Sequence, residues 1–135
     1  MNQPKLFLFL DDTEERHRHF WNLCSQFDIV TFHAYNVRRA LQLLHDPPFE
    51  TPFDCAWLDH DLEDTGAETG YVVAEHIALH LPMELWPKNI VIHSWNPDGA
   101  IAMEAVLRDH GYVRVKRIPF SFSGSIDQKD AISKV

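Results

Sequence analysis

Five short apolar segments alternate along the chain with stretches of helical periodicity, and this alternation constrains the fold more than any other feature. The apolar segments lie at residues 5–10, 28–35, 53–58, 89–93 and 112–118. They are continuously apolar or rich in β-branched and aromatic residues, which is typical of strands covered on both faces. The stretches between them place apolar residues three or four positions apart, as in helices that bury one face. The order predicts an α/β fold with a parallel sheet between two layers of helices.

Local sequence patterns predict the ends of the helices and the domain organisation. Acidic residues Glu14 and Glu15 favour a helix start after the first strand, and Gly111 favours the end of a helix before the fifth strand. Five strands in this alternation commonly adopt the flavodoxin-like order 2-1-3-4-5. We expect one such domain over 1–120, followed by a polar tail or short helix over 121–135. The predicted core contains Leu6, Leu8, Leu10, Ala56, Leu58 and Val91.

The composition limits the function classes. The chain has 135 residues and a formal net charge of -8, which disfavours non-specific binding to DNA or to anionic membranes. Cys24 and Cys55 lie in apolar contexts and are expected to be buried thiols. No apolar run approaches the ~20 residues of a membrane span. The N-terminal apolar run ends in two acids, unlike a signal peptide, so we expect a cytoplasmic location.

Polar side chains follow three of the predicted strands at their carboxyl ends. In flavodoxin-like folds ligands bind outside these ends, where the strand order reverses between strands 1 and 3. The fold therefore brings to one rim residues that are distant in sequence. These are Asp11 and Asp12 after strand 1, Asp59, His60 and Asp61 after strand 3, and His93 and Ser94 after strand 4.

The carboxylates at this rim predict a metal site. Asp11, Asp12, Asp59 and Asp61 would repel one another unless a cation lay among them, and hard oxygen ligands suit Mg²⁺ or Mn²⁺. A helix begins nearby at Asn96-Pro97-Asp98-Gly99, and a metal with a helix N-terminus and a basic residue can bind phosphate. The candidate phosphate-binding residues are His60, Ser94, Asn96, Gly99 and Lys116.

Simpler interpretations remain open for each of these residues. Asp11 or Asp12 can cap the first helix, His93 can be a hydrogen-bonded strand-end histidine, and Ser94 can be a turn residue. Lys116 and Arg117 point to opposite faces of the sheet, so at most one of them reaches the rim.

Other histidines lie outside the predicted rim. His17 and His19 on the first helix are expected to be solvated. His76 and His80 are four residues apart on the third helix, where they could chelate a soft metal, but the sequence shows no third ligand near them.

These motifs resemble known families. The acidic pair after strand 1, Asp59 after strand 3, the hydroxyl of Ser94 and the lysine on strand 5 are similar to the receiver domains of two-component signalling. A closer resemblance, over residues 8–107, is to the cyclic-phosphate processing receiver domain family. It rests on LDD, DHDL, a Gly-Tyr pair that opens the third helix, and the HSxNPxG motif. The resemblance implies a receiver fold and an activity on cyclic phosphates, in RNA-end or nucleotide metabolism.

The departures from ordinary receivers favour an enzyme over a phosphorylation switch. In those proteins a lysine directly precedes a proline after strand 5, whereas here Lys116 is separated from Pro119 by two residues. His60, Asp61 and His93 add acid–base and ligand capacity that a switch does not need.

Three functions follow from these observations. The first is a metal-dependent phosphoesterase that cleaves a cyclic phosphate or related ester of a small molecule, nucleotide or RNA end. In it Asp59 is a catalytic metal ligand, His93 the general acid–base, and Ser94 and Lys116 hold phosphate oxygens. The second is a signalling receiver phosphorylated on Asp59, and the third is an interaction module without chemistry. A homodimer is compatible with all three.

Overall fold

A five-stranded parallel sheet forms the centre of the molecule, in the order β2-β1-β3-β4-β5. The computed structural model describes residues 3–62 and 68–135. The strands are β1 (Lys5–Leu10), β2 (Ile29–Ala34), β3 (Cys55–Leu58), β4 (Ile90–Ile92) and β5 (Val115–Arg117). The predicted fold class and strand order are confirmed.

Five helices connect and follow the strands. They are α1 (Glu14–Cys24), α2 (Val37–His45), α3 (Gly70–Leu79), α4 (Pro97–Asp109) and α5 (Ile126–Ser133). Short single turns occur at Pro48–Glu50 and Met83–Leu85. Within the described ranges no helix is long and apolar enough to cross a membrane.

Alternation along the central strands builds two apolar layers. Leu6, Leu8 and Leu10 face the layer that holds α2, α3 and α4, whereas Phe7 and Phe9 face the layer that holds α1 and α5. All six predicted core residues are buried, and both cysteines are buried and unbridged. Strands covered on both faces explain why their sequences read as continuous apolar runs.

The last segment of the chain belongs to the second layer. Residues 121–135, predicted as a polar tail or short helix, contain α5, whose Ala131 and Ile132 pack with Phe120. Gln128 is fully buried, and its side-chain amide is satisfied by the backbone of Ser121. Its Oε1 accepts from the Ser121 N–H, and its Nε2 donates to the Ser121 carbonyl oxygen. The polar composition of this segment conceals its packing, because the buried side of α5 has only two apolar residues, Ala131 and Ile132, beside the polar Gln128.

The outer strands are shorter than the sequence suggests. The predicted strand at 112–118 pairs only over Val115–Arg117. Tyr112 is buried ahead of the strand, where its hydroxyl donates to the Pro87 carbonyl oxygen. The apolar segment of the sequence is therefore longer than the hydrogen-bonded strand, because side chains next to the short edge strand also enter the core.

Candidate functional site

Three side chains lie directly beyond the carboxyl ends of neighbouring strands. Leu10 pairs with Leu58, and Leu58 pairs with Ile92, so the next residue on each strand lies level with the others. Backbone hydrogen bonds between the strands maintain this alignment. The Asp59 N–H donates to the Leu10 carbonyl, and the His93 N–H donates to the Leu58 carbonyl. Strand register therefore positions Asp11, Asp59 and His93 at one point of the rim.

These three residues form a tight, buried cluster that could hold a metal. One ligand atom from each of Asp11, Asp59 and His93 lies within 4.8 Å of the other two. His93 Nε2 is 3.1 Å from Asp11 Oδ2. The cluster is the one group of this kind among the described residues, and it combines two carboxylates with one imidazole.

Burial of the two carboxylates makes their negative charge costly. Burial and then the Asp11 carboxylate raise the pKa of Asp59 to about 7. Burial likewise raises the pKa of Asp11. A carboxyl group with such a pKa in a cluster is a frequent mark of a functional site. A cation placed between the two would offset both effects.

Arg16 supplies a positive charge beside this cluster. Its guanidinium lies 3.4 Å from Asp11 Oδ2 and 3.7 Å from Asp59 Oδ2. The side chain is 28% exposed, so one side of it faces solvent at the rim. Arg16 was not among the site residues predicted from the sequence. The one available signal was a basic residue in the first turn of α1, where the helix dipole disfavours positive charge.

His93 is held in an apolar, aromatic setting. Its ring stacks on Phe9 with centroids 4.7 Å apart and also contacts Phe120 and Trp57. Burial, followed by the charges of Arg16 and His17, lowers the pKa of His93 to about 3. Nδ1 has no hydrogen-bond partner, so Nε2, facing Asp11, is the nitrogen with a polar role.

Two histidines, His17 and His33, form a chain of hydrogen bonds that ends at the backbone of Asp11. His17 Nε2 lies 2.7 Å from the Asp11 carbonyl oxygen, His17 Nδ1 lies 2.6 Å from His33 Nδ1, and His33 Nε2 lies 2.9 Å from Thr31 Oγ1. The expectation that His17 is solvated is wrong, since it is 2% exposed. It lies three and seven residues before Phe20 and Cys24 on the buried face of α1, a spacing that could have revealed its burial.

His60 and Asn96 form a second polar group at the same rim. Asp61 Oδ1 lies 2.7 Å from His60 Nδ1 and accepts from Asn96 Nδ2 at 3.2 Å. Asp61 is therefore engaged with His60 and Asn96, and it does not join the Asp11–Asp59–His93 cluster. Two of the four predicted carboxylates, those of Asp11 and Asp59, thus lie in the cluster together with an imidazole, and the metal-binding roles of Asp12 and Asp61 stay predictions.

The start of α4 packs on His60. A Cβ built on Gly99 would lie 2.5 Å from the His60 ring, so only glycine fits there. The Gly99 amide donates to Asn96 Oδ1, which caps the helix. The Gly99 amide therefore has a partner within the chain, and the phosphate-binding role of Gly99 stays a prediction. Its place in the HSxNPxG motif is explained by the close approach of the His60 ring.

Gly70 shows the same kind of contact at the start of α3. A Cβ on this residue would lie 1.7 Å from the Asp59 carbonyl oxygen, and the Gly70 amide donates to the His60 carbonyl. The Gly-Tyr pair therefore lets α3 begin directly against the turn that carries Asp59.

The remaining predicted site residues lie at or near the rim in other arrangements. Asp12 Oδ1 accepts from the hydroxyl of Thr13 at 3.3 Å. Asp12 is not part of the group formed by Asp11, Asp59 and His93, called the metal-ligand cluster below. Ser94 is 5% exposed and its Oγ accepts from the Asn96 amide, so it forms a turn at the end of β4.

The backbone of Lys116 lies below the level of the rim, and its phosphate-binding role stays a prediction. Lys116 pairs with Val91, whereas Ile118 bonds to Ile92 at the level of the site. At ~3.3 Å per strand residue, Lys116 lies two residues back along β5. It is exposed and lines a cavity of about 1110 Å³ along the β5 edge, to which the metal-ligand cluster does not contribute. Arg117 lies on the opposite face and bonds Glu104, as the predicted alternation requires.

The arrangement offers two carboxylates and an imidazole that could hold a divalent cation, beside the partly exposed guanidinium of Arg16. That combination suits a doubly or singly charged phosphate group, because the cation and Arg16 would both face its oxygens. His60 provides an imidazole at the same rim whose side chain is 17% exposed, in contrast to the fully buried His93 ring.

Comparison with known structures identifies the fold. A CheY-like response regulator receiver domain from Methylobacillus flagellatus matches with a TM-score of 0.65 and 15% identity, over 96% of this chain and 99% of that one. A second, from Methanospirillum hungatei JF-1, matches with a TM-score of 0.65 and 14% identity, over 97% and 95%. The Mn²⁺-bound form of response regulator Rcp1 gives 0.66 and 18%, over 97% and 91%.

Sequence comparison identifies the family. No curated protein sequence is significantly similar to the chain. Residues 6–109 match the family described as Cyclic-phosphate processing Receiver domain. This range contains the metal-ligand cluster, Arg16, His60 and the glycines that pack around them. The chain therefore belongs to the cyclic-phosphate processing receiver domain family.

Proposed function

We propose that the protein is a metal-dependent phosphoesterase that acts on a cyclic phosphate or a related phosphate ester. The observation that carries the proposal is the convergence of Asp11, Asp59 and His93, whose ligand atoms lie within 4.8 Å of one another. The family to which the chain belongs supports the substrate class.

The donor set fits a divalent cation. Burial raises the pKa of both carboxyl groups, and the Asp11 carboxylate raises that of Asp59 further, so a cation between them would stabilise their ionised forms. The neutral imidazole of His93 adds a nitrogen donor, which favours Mn²⁺ over Mg²⁺ because imidazole suits transition metals better. The Mn²⁺-bound form of Rcp1, a structural neighbour, supports the choice of ion.

The chain's own residues would orient the phosphate. When bound, a divalent ion polarises a phosphoryl oxygen and makes water a stronger nucleophile at neutral pH. Asp11, Asp59 and His93 would hold that ion. Arg16, whose guanidinium reaches both carboxylates and is partly exposed, would bind a further phosphate oxygen.

The contacts suggest roles for His93 and His60 that differ from those in the sequence-based hypothesis. A general acid–base must reach the substrate, and the His93 side chain is 0% exposed. We therefore assign His93 to ion binding. His60 is the better acid–base candidate because its Nδ1 faces the Asp61 carboxylate, which fixes the ring and leaves Nε2 for proton transfer.

Aspartyl phosphorylation is less compatible with these contacts. Asp59 is 3% exposed, and a pKa of about 7 leaves a substantial fraction of it protonated, and so not nucleophilic, at neutral pH. The lysine expected beside the phosphoryl group is displaced, and the buried Ile118 occupies the level of the rim.

The test is a turnover assay with 2′,3′-cyclic and 3′,5′-cyclic nucleotides in Mn²⁺, followed by product chromatography. We expect Asp59→Asn to lose turnover and Mn²⁺ binding, and His93→Gln to lower Mn²⁺ affinity. His60→Gln should cut turnover by ~10²–10⁴-fold with Mn²⁺ affinity retained. Asp109→Asn, an exposed aspartate on α4, is the matched control and should behave as the wild type.

The same protein is treated in parallel with acetyl phosphate. Stable phosphorylation of Asp59 without cleavage of any cyclic phosphate would replace the proposal with the signalling function. A His93→Gln protein that binds Mn²⁺ normally but turns over slowly would restore His93 as the acid–base. Absence of both reactions would leave the interaction module.

A further inference from the structure

Trp95 is a large, exposed aromatic residue beside the rim site. It follows His93 by two residues and directly precedes Asn96, whose side chain contacts His60. Two residues of extended chain span at most ~7 Å, so Trp95 begins close to the metal-ligand cluster. Although it carries the largest of the apolar side chains, Trp95 is 66% exposed. None of the roles assigned above uses it.

Hydrogen bonds fix the Trp95 ring relative to His93. Trp95 Nε1 donates to the Phe120 carbonyl oxygen at 2.9 Å. The Phe120 N–H donates in turn to the His93 carbonyl oxygen at 3.0 Å, and the Phe120 ring lies against the His93 ring. Phe120 therefore holds the indole and the proposed ion-binding imidazole in one arrangement. A ring that is already ordered loses little side-chain freedom when a ligand binds to it.

Two other exposed aromatic residues follow strands at this end of the sheet, and both lie against another ring. Tyr35 stacks on His17 with ring centroids 3.8 Å apart, and Phe122 packs edge-on against Phe120 at 5.2 Å. For Trp95 the structure, over the residues that it describes, contains no contact with a second aromatic ring. The exposed face of the indole is thus open to a stacking ligand.

The surface beside this ring is concave. Trp95 lines the cavity of about 1110 Å³ that runs along the β5 edge, together with Pro97 and Pro119. Ser94, which directly follows His93 in the chain, lines it as well, so the cavity adjoins the rim site. Its volume is sufficient for a small organic ligand.

We propose that Trp95 stacks on the base of the substrate, so that the preferred substrates are nucleoside cyclic phosphates rather than cyclic phosphates that lack a base. The inference rests on the proposed phosphoesterase function and names the substrate class of that site. A phosphate held at Asp11 and Asp59 leaves the rest of its molecule to extend over the neighbouring surface, where the indole is a flat apolar platform. Stacking on such a platform tolerates every base, so we expect purine and pyrimidine substrates to be accepted.

The experiment compares two substrates that differ only in the base. They are adenosine 2′,3′-cyclic phosphate and methyl β-D-ribofuranoside 2,3-cyclic phosphate, in which a methoxy group replaces the base. We would measure kcat/KM for both in Mn²⁺ with the wild type, Trp95→Ala and Trp95→Phe, after checking each variant by circular dichroism. Trp21→Ala is the matched control, because Trp21 is also exposed but lies near the far end of α1, which begins at the rim.

We expect the wild type to prefer the adenosine substrate by about 5–150-fold in kcat/KM, the range for one stacked base. Trp95→Ala should lose most of this preference, Trp95→Phe should keep part of it, and Trp21→Ala should keep all of it. Equal kcat/KM values for the two substrates in the wild type would overturn the inference, as would an unchanged preference in Trp95→Ala. Either result would leave the phosphoesterase proposal in place.

A binding measurement separates the two proposals if neither substrate is cleaved. Adenosine 3′-monophosphate is titrated calorimetrically into the wild type and Trp95→Ala in Mn²⁺, and we expect the variant to bind about 5–150-fold more weakly. That result without turnover would support base stacking on Trp95 and overturn the phosphoesterase proposal. Binding that does not depend on Trp95, or no binding at all, would overturn the inference.

Discussion

At the scale of single residues, the candidate site is governed by the cost of burying charge. Asp11 and Asp59 are almost completely buried, and Arg16 only partly compensates them, since both carboxyl pKa values remain raised. Such an arrangement weakens the fold unless a second cation binds. The same residues therefore connect ion binding with stability, and each can be tested through stability.

Replacing Asp59 with asparagine should change the pH dependence of stability. Well below its ordinary pKa of 3.8, Asp59 is protonated in both the folded and the unfolded chain, so wild type and Asp59→Asn should be similar. As the pH rises, the unfolded chain releases this proton first, because the pKa of the folded form is about 7. The wild-type free energy of unfolding should therefore fall by about 4 kcal/mol relative to the variant.

Urea unfolding at a series of pH values, with a chelator present, measures this difference. Comparison with the variant removes the contributions of the other titrating groups. A free-energy difference that stays constant from about pH 4 to about pH 7 would contradict the raised pKa of Asp59.

Arg16 should affect ion binding and phosphate binding in opposite directions. Replacing it with glutamine removes a positive charge that competes for Asp11 and Asp59, so Mn²⁺ should bind more tightly. The same change removes a phosphate contact, so KM for the cyclic phosphate should rise by about tenfold or more. Calorimetry and steady-state kinetics measure the two effects.

Arg18→Gln is the control for this experiment, because Arg18 lies on the same helix and is exposed. If Arg16→Gln weakens Mn²⁺ binding, then Arg16 supports the carboxylates in another way, and the assignment of competing charges is wrong.

At the scale of elements, glycines allow helices to begin directly against the turns that carry the site. Gly70 lets α3 start beside the Asp59 carbonyl, and Gly99 lets α4 start beside the His60 ring. A side chain at position 70 would displace the turn that carries Asp59, and one at position 99 would displace the His60 ring. The motifs noted in the sequence are thus explained by close packing as well as by chemistry.

Gly70→Ala should be destabilising and should also disturb the site. The added methyl would overlap the Asp59 carbonyl oxygen, so backbone must move, at a cost of about 1–3 kcal/mol. Mn²⁺ affinity should fall because Asp59 moves with its backbone. Gly111→Ala provides a contrast, since Gly111 has a positive φ but no atom within 4 Å of the position that a methyl group would take. It should therefore lose stability without loss of Mn²⁺ affinity, and equal Mn²⁺ affinities in both variants would contradict the role given to Gly70.

The elements were largely predictable from sequence, whereas the site was predictable only in part. Alternating strands and helices determined the sheet order, and strand ends located Asp11, Asp59 and His93 at one rim. Side-chain direction at a turn does not follow from position alone, so the sequence could not exclude Asp61 from the cluster. Contacts between separate elements, such as that of Arg16 with Asp59, required the structure.

At the scale of the whole molecule, one divalent ion should stabilise the entire fold, because β1, β3 and β4 all end at the site. Binding to the folded state alone contributes ~2.7 kcal/mol at a hundredfold excess over Kd. This should raise the melting temperature by several degrees in a chain of this size. Mn²⁺ should act more strongly than Mg²⁺, because His93 supplies a nitrogen donor.

Thermal unfolding of two variants can test whether this stabilisation comes from the rim site. Asp59→Asn should lose the Mn²⁺ response, whereas the control Asp109→Asn, which replaces an exposed aspartate on α4, should keep it. A melting temperature that does not respond to millimolar Mn²⁺ in the wild type would show that the buried carboxylates are balanced by Arg16 alone.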